Sequence, residues 1–126
     1  MKQLQSYDID GVIVIDGIPG LRPNLVDIII TGRSFEEKNE TTKVLFDKGI
    51  YNVVYFNSCT YENKTRITSG IHKGRTLLTL IQSGKNIVCH YDDDDVQIAE
   101  IKKLVNIPCI LIQHDLTNKE NQRHLL

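Results

Sequence analysis

Short apolar runs alternate with longer amphipathic segments along most of the chain, and the two patterns have different periods. Runs rich in β-branched and aromatic residues predict five strands, at residues 3–8, 25–30, 51–56, 86–91 and 108–113. Apolar residues at helical spacing predict helices between them, at residues 34–49, 71–82 and 96–105. Ser34 and Glu37 form the capping-box pattern that opens the first of these helices, and Gly49 ends it.

Strands that alternate with helices are the pattern of βαβ units. We therefore expect one α/β domain over residues 1–126, with a mostly parallel five-stranded sheet in a three-layer, Rossmann-like arrangement. Residues 11–15 loosely continue the first strand, residues 57–70 are polar and predict a loop, and the polar tail from Asp115 is expected to fray. The first strand is polar at several positions, which leaves its place in the sheet open.

The composition indicates the class of protein but not its function. The 126 residues are 40% hydrophobic and 25% charged with a formal net charge of -1, which is ordinary for a soluble domain and gives no sign of a nucleic-acid binder. Three cysteines without CxxC spacing indicate reduced thiols, and the N-terminus lacks the apolar segment of a secretory signal. No apolar run approaches the ~20 residues of a membrane span, so we expect a cytoplasmic protein without a membrane partner.

Asp8 and Asp10 are the most informative residues of the chain. They are two positions apart at the end of the first predicted strand, so their side chains face the same way. Two carboxylates at so short a separation repel each other, and this raises the free energy of the folded protein unless a cation lies between them or one is protonated. The pair therefore predicts a metal site, or a nucleophile beside a general acid/base.

Further reactive side chains follow the other predicted strands. Thr31-Gly32-Arg33 comes after the second strand and the run Asp92 to Asp95 after the fourth, while Lys73 lies in the helix before the fourth strand. Because the carboxyl ends of parallel strands lie along one edge of the sheet, these groups should converge on one pocket. These groups would suit a phosphate ester as substrate. Carboxylates would bind Mg²⁺ and one carboxylate would act as nucleophile, while a hydroxyl and an ammonium would hold the phosphoryl oxygens.

In this order the residues resemble the four motifs of the haloacid dehalogenase superfamily of phosphatases. Asp8-Ile9-Asp10-Gly11-Val12 is similar to the first motif, Ile28-Ile29-Ile30-Thr31 to the second, Lys73 to the third and Asp92 to Asp95 to the fourth. The resemblance implies Mg²⁺-dependent phosphomonoester hydrolysis through an aspartyl-phosphate intermediate. It also implies a role for each residue: Asp8 as nucleophile and metal ligand, Asp10 as general acid/base and metal ligand, Thr31, Gly32, Arg33 and Lys73 as substrate-binding groups, and Asp93 with Asp94 as metal ligands.

A narrower resemblance concerns the substrate. Thr31-Gly32-Arg33 and residues 66–73 resemble the 3′-phosphatase domain of phage-type polynucleotide kinases and small RNA-repair members of the superfamily. This implies that Arg33 contacts a substrate phosphate, and that the substrate is a phosphorylated small molecule or a nucleic-acid end. Residues 13–24 are too few for a cap domain, and an open site suits a large substrate. Lys64 is an alternative to Lys73 for the lysine role.

Two other classes of function fit parts of the pattern. The chain could be a catalytically silent relative that binds nucleic acid or a partner. It could also be a receiver-like phospho-acceptor, because receivers likewise gather acidic residues, a threonine and a lysine at strand ends. Receivers phosphorylate an aspartate after the third strand, whereas this chain has Asn57-Ser58 there, which counts against that interpretation.

Overall fold

A computed structural model of the chain describes residues 2–114, so the prediction for the tail from Asp115 lies outside the described residues. The strands are β1 (Gln3–Tyr7), β2 (Val14–Ile15), β3 (Ile18–Pro19), β4 (Ile28–Ser34), β5 (Val54–Asn57), β6 (Asn86–Asp92) and β7 (Cys109–Leu111). The helices are α1 (Lys38–Asp47), α2 (Arg66–Gln82) and α3 (Asp95–Lys102), and a 3-10 turn over Phe35–Glu37 leads into α1.

The main sheet has five parallel strands in the order β5-β4-β1-β6-β7, which confirms the predicted α/β class and Rossmann-like sheet. After β1, the chain adds β4 and then β5 on one side of that strand. It then crosses to the other side of β1, where it adds β6 and β7. The direction of winding therefore reverses between β1 and β6. Such a reversal leaves a crevice at the carboxyl edge of the sheet, where ligands of open α/β folds bind.

Two apolar clusters hold the three layers together. On one face of the sheet, Ile29 and Tyr7 pack with Leu45 of α1. On the other face, Ile28 and Ile30 pack with Leu77 of α2 and Ile101 of α3. Successive residues of β4 thus serve opposite clusters, as the two-residue period of a strand requires.

The polar first strand lies at the centre of the sheet rather than at an exposed edge. Its polar groups bond to the neighbouring strand β6, since Ser6 pairs in register with His90 and its Oγ lies 2.8 Å from His90 Nδ1. Gln5 Oε1 accepts a hydrogen bond of 2.6 Å from the Tyr91 hydroxyl. Burial of polar residues is tolerated here because each has a partner.

Three local predictions need correction. Residues 11–15 do not continue β1, because Gly11 has a φ of 81° and the chain turns into a short antiparallel hairpin of β2 and β3. Strand β4 continues through residues 31–34, so Thr31 lies inside the strand. Helix α2 begins at Arg66 and not at residue 71, because Thr65 and Thr68 cap its first turn through their side chains. The predicted loop therefore ends at Thr65.

The capping box at Ser34 and Glu37 is confirmed, with Ser34 N donating to Glu37 Oε2 over 2.8 Å. The three cysteines form no disulfide. Within residues 2–114, none of the helices combines the length and the apolar character that a membrane crossing requires.

Candidate active site

Three buried carboxylates meet where the winding of the sheet reverses. Asp8 directly follows β1 and its backbone N–H donates to Tyr91 O over 3.0 Å, which fixes it beside β6. Asp92 is the last residue of β6 and Asp93 is the next. One carboxylate oxygen of each of Asp8, Asp92 and Asp93 lies within 4.8 Å of the other two.

Lys73 enters this cluster from α2. Its Nζ lies 2.8 Å from Asp92 Oδ2 and 3.2 Å from Asp8 Oδ2, and its side chain is fully buried. The backbone of α2 lies close to α3, because a Cβ on Gly70 would lie 2.9 Å from Gln97 Cα. Glycine at this position therefore permits the approach of the two helices.

The electrostatics keep Asp92 charged. Burial by itself would raise the pKa of Asp92, but the Lys73 ammonium and the hydrogen bond from His90 outweigh it and hold this pKa well below its usual range. The cluster thus holds three buried carboxylates, and the Lys73 ammonium pairs with two of them, Asp8 and Asp92. A divalent cation bound by oxygen ligands would even out this charge, and the carboxylates of Asp8 and Asp93 are the right donors for Mg²⁺.

Asp10 lies outside the carboxylate cluster and is held by Arg33. Arg33 Nε and Nη2 donate to the two oxygens of Asp10 over 2.9 and 2.6 Å, and Nη1 donates to Thr41 Oγ1 over 3.1 Å. Thr31 is buried and its Oγ1 accepts from Arg33 N over 3.0 Å. The predicted substrate-phosphate contact Arg33 is thus a partner of the predicted acid/base in this structure.

Gly32 and Lys64 are the remaining residues predicted near the phosphate. The carbonyl of Gly32 accepts from Asn57 Nδ2 over 3.3 Å, which ties β4 to the end of β5. Lys64 Nζ lies 3.0 Å from Glu37 Oε2 in a buried ion pair. Lys73, and not Lys64, therefore contacts the carboxylate cluster.

Asp94, predicted as a metal ligand beside Asp93, is directed elsewhere. Its two oxygens accept from Arg66 Nε and Nη2 over 2.9 and 2.8 Å, and its Oδ1 accepts from Val96 N at the start of α3. The carboxylate that joins Asp93 in the cluster is Asp92. The carboxylates of the acidic run thus have different surroundings: Asp92 and Asp93 belong to the cluster, and Asp94 caps helix α3.

Ser6 and His90 complete the surroundings of the cluster and were not predicted from the sequence. His90 Nε2 lies 2.9 Å from Asp92 Oδ2, and both side chains are fully buried. Burial lowers the pKa of His90, so the imidazole is neutral. The available signal was a histidine within the largely apolar strand β6, whereas Ser6 lies in a strand that is polar at several positions and gave no such signal.

Comparison with known proteins does not assign this chain to a family. No protein-family model and no curated protein sequence matches this chain.

Proposed function

We propose that the chain is a Mg²⁺-dependent phosphomonoesterase of the haloacid dehalogenase type, which forms an aspartyl-phosphate on Asp8. The observation that carries the proposal is the convergence of Asp8, Lys73 and Asp93 at the carboxyl edge of the sheet. These residues are far apart in the sequence, yet Lys73 Nζ lies 3.2 Å from Asp8 Oδ2, and Asp8 and Asp93 belong to one group of carboxylates within 4.8 Å.

Asp8 and Asp10 take part in both halves of the proposed reaction. A carboxylate oxygen of Asp8 attacks phosphorus, the new Asp8–phosphorus bond forms and the bond to the ester oxygen breaks. Both oxygens of Asp10 accept from Arg33 in this structure, so Asp10 must exchange one of these bonds for a proton from water. It then gives that proton to the leaving oxygen. In the second half, a water attacks phosphorus, Asp10 takes its proton, and the bond to Asp8 breaks to release inorganic phosphate.

The surrounding groups orient these two carboxylates. Ile9 N donates to Asp8 Oδ1 over 2.8 Å, which leaves Oδ2 beside Lys73. The Lys73 ammonium and the Thr31 hydroxyl would hold phosphoryl oxygens as charge moves onto them. Arg33 fixes Asp10 through two hydrogen bonds, and a substrate phosphate near Asp10 would meet the same guanidinium.

The residues present also fit the metal that this chemistry needs. Asp8 and Asp93 would hold Mg²⁺, with the backbone carbonyl of Asp10 as a further oxygen donor. The bound ion would offset the repulsion between an anionic nucleophile and an anionic phosphate. The short hairpin of β2 and β3 stands where larger relatives of this type would carry a cap, so we propose an open site for a phosphorylated small molecule or a nucleic-acid end.

The test is phosphate release from para-nitrophenyl phosphate with Mg²⁺, followed by a screen of nucleotides and of 3′- and 5′-phosphorylated oligonucleotides. We expect Asp8→Asn to lose at least about 10³-fold in kcat, because the amide is not a nucleophile. Asp47→Asn is the matched control, since Asp47 is exposed on α1 and forms only a surface pair with Lys43. A wild-type protein inactive on every substrate, or a fully active Asp8→Asn, would overturn the proposal.

The sheet order argues against the receiver alternative. Receiver domains have the order 2-1-3-4-5, whereas the parallel strands here, numbered along the chain, have the order 3-2-1-4-5. The residues after β5 are Ser58 and Cys59, and β5 itself ends at Asn57, so no aspartate stands at the position that a receiver phosphorylates. For a catalytically silent protein, we would expect no Asp8-dependent hydrolysis in the same assay.

A further inference from the structure

A continuous chain of polar contacts runs behind the carboxylate cluster. Ser6 Oγ lies 2.8 Å from His90 Nδ1, His90 Nε2 lies 2.9 Å from Asp92 Oδ2, and the same oxygen lies 2.8 Å from Lys73 Nζ. All four side chains are fully buried. The chain joins the two central strands, β1 and β6, to helix α2.

The direction of each hydrogen bond follows from what the atoms can do. An ionised carboxylate only accepts, so His90 Nε2 must carry the proton that it donates to Asp92. In a neutral imidazole the other nitrogen is then an acceptor, and Ser6 Oγ–H donates to Nδ1. Asp92 therefore sets the tautomer of His90, Ser6 satisfies Nδ1 and holds the ring in place, and His90 in turn orients the Asp92 carboxylate.

Lysine has a long side chain with several rotatable bonds, so its ammonium needs partners that hold it in one place. Asp92 Oδ2 is one such partner, 2.8 Å from Lys73 Nζ. Asp92 Oδ1 accepts from Asp94 N over 3.1 Å, so the backbone holds one oxygen, and His90 is the side-chain donor that holds Oδ2. Without that donor, Oδ2 could move away from Lys73, and Lys73 would lose its fixed position. Supports of this kind commonly change activity by about 10- to 100-fold when they are removed from metal sites.

We propose that Ser6 and His90 are positioning residues, which hold Asp92 so that Lys73 stays aimed at the phosphoryl site. The inference rests on the proposed phosphatase function. It assigns Asp92 to the support of Lys73, while Asp8 and Asp93 bind the metal. His90 touches neither substrate nor metal and acts only through Asp92.

Two substitutions of His90 separate positioning from a purely structural role. His90→Gln places an amide N–H near the former Nε2 and keeps a donor for Asp92. His90→Asn reaches only as far as Nδ1, so it retains a partner for Ser6 and loses the donor to Asp92. Each variant loses one buried hydrogen bond and part of a ring, so similar losses of stability are expected from both.

Kinetics and ligand binding are then measured on each folded variant. We expect His90→Asn to lower kcat by about 10- to 100-fold and His90→Gln to stay within about threefold of the wild type. Calorimetric titration with inorganic phosphate, in the presence of Mg²⁺, should show weaker phosphate binding for His90→Asn only. Affinity for Mg²⁺ alone should be similar in all three proteins, because Asp8 and Asp93 are unchanged.

Equal kcat and equal phosphate affinity for the two variants would overturn the positioning role, provided that the wild type hydrolyses a phosphomonoester. An inactive wild type would instead refute the function, so the two failures are distinguishable. If His90→Asn does not fold, Ser6→Ala decides, since it removes only the hydroxyl that bonds to Nδ1 and holds the His90 ring in place. We expect a several-fold loss of kcat in Ser6→Ala, and wild-type kcat and phosphate affinity in that variant would overturn the inference.

Discussion

At the scale of single residues, Gly11 shows how tightly the loop after β1 fits the site. Its φ is 81°, in the left-handed region that favours glycine, and a Cβ there would overlap the Asp93 carboxylate. Asp93 is itself buried. The absence of a side chain at Gly11 is therefore what allows this carboxylate to occupy its position in the cluster.

Gly11→Ala should displace Asp93 and weaken Mg²⁺ binding by about tenfold or more, the size of effect seen when the support of a metal ligand is disturbed. The matched control is Gly17→Ala, because Gly17 has the same φ of 81° but nothing within 4 Å of an added Cβ. Backbone strain should cost each variant about 1 kcal/mol of stability, and Gly11→Ala should lose more than Gly17→Ala because it also displaces the buried Asp93 carboxylate. Mg²⁺ titration that gives the same affinity for both variants would contradict the assignment of Asp93 as a ligand.

At the scale of elements, Arg66 joins helices α2 and α3 at their N-termini through ion pairs with Asp94 and, at 3.3 Å, with the exposed Asp95. Asp94 caps α3 and accepts two hydrogen bonds from Arg66, the first residue of α2. The Asp94 side chain is 1% exposed and that of Arg66 is 20% exposed. Burial opposes the charge on Asp94, and Arg66 outweighs it, so the pKa of Asp94 lies below its usual value.

Arg66→Met should therefore destabilise the protein by about 2–4 kcal/mol, because it leaves a buried carboxylate without its guanidinium. The comparison is Lys43→Met, which breaks the exposed pair with Asp47 on α1 and should cost less than about 0.5 kcal/mol. Urea unfolding monitored by circular dichroism measures both. Similar small losses for the two variants would show that the Arg66–Asp94 pair contributes no more than a surface pair.

These elements also show what the sequence could and could not predict. The strands and the capping box at Ser34 were predictable because they depend on neighbours in the chain. The start of α2 was not, since Thr65 and Thr68 cap it without the acidic residue that usually marks a capping box. The direction of Asp94 depends on Arg66, which lies 28 residues away, and the chain carries no local sign of that pairing.

At the scale of the whole molecule, buried histidines and aspartates give stability the same dependence on pH. Burial lowers the pKa of His72 to about 4, so between about pH 6.5 and 4 the unfolded chain binds a proton that the folded protein does not. Stability is therefore lost as the pH falls through this range. Below the ordinary aspartate pKa, Asp92 and Asp94 act in the same direction, because their folded pKa values are depressed.

We expect the free energy of unfolding to fall between pH 6.5 and 4, with a contribution from His72 of at most about 1.4 kcal/mol per pH unit. Partial exposure of the ring reduces that figure. His72→Gln does not titrate, so its stability should fall less steeply than that of the wild type over this range and run parallel to it above pH 7. Denaturant unfolding at several pH values makes the comparison, and parallel curves throughout would contradict it.

The central position of β1 has a consequence for how the protein is made. This strand leaves the ribosome before the other strands of the sheet, yet one of its two neighbours, β6, begins only at Asn86. A nascent chain that stops short of β6 carries an open strand edge along β1, which is a template for pairing with another chain. It also lacks Asp92 and Asp93, so the pairing of β6 with β1 and the completion of the carboxylate cluster both wait for the same segment of the chain.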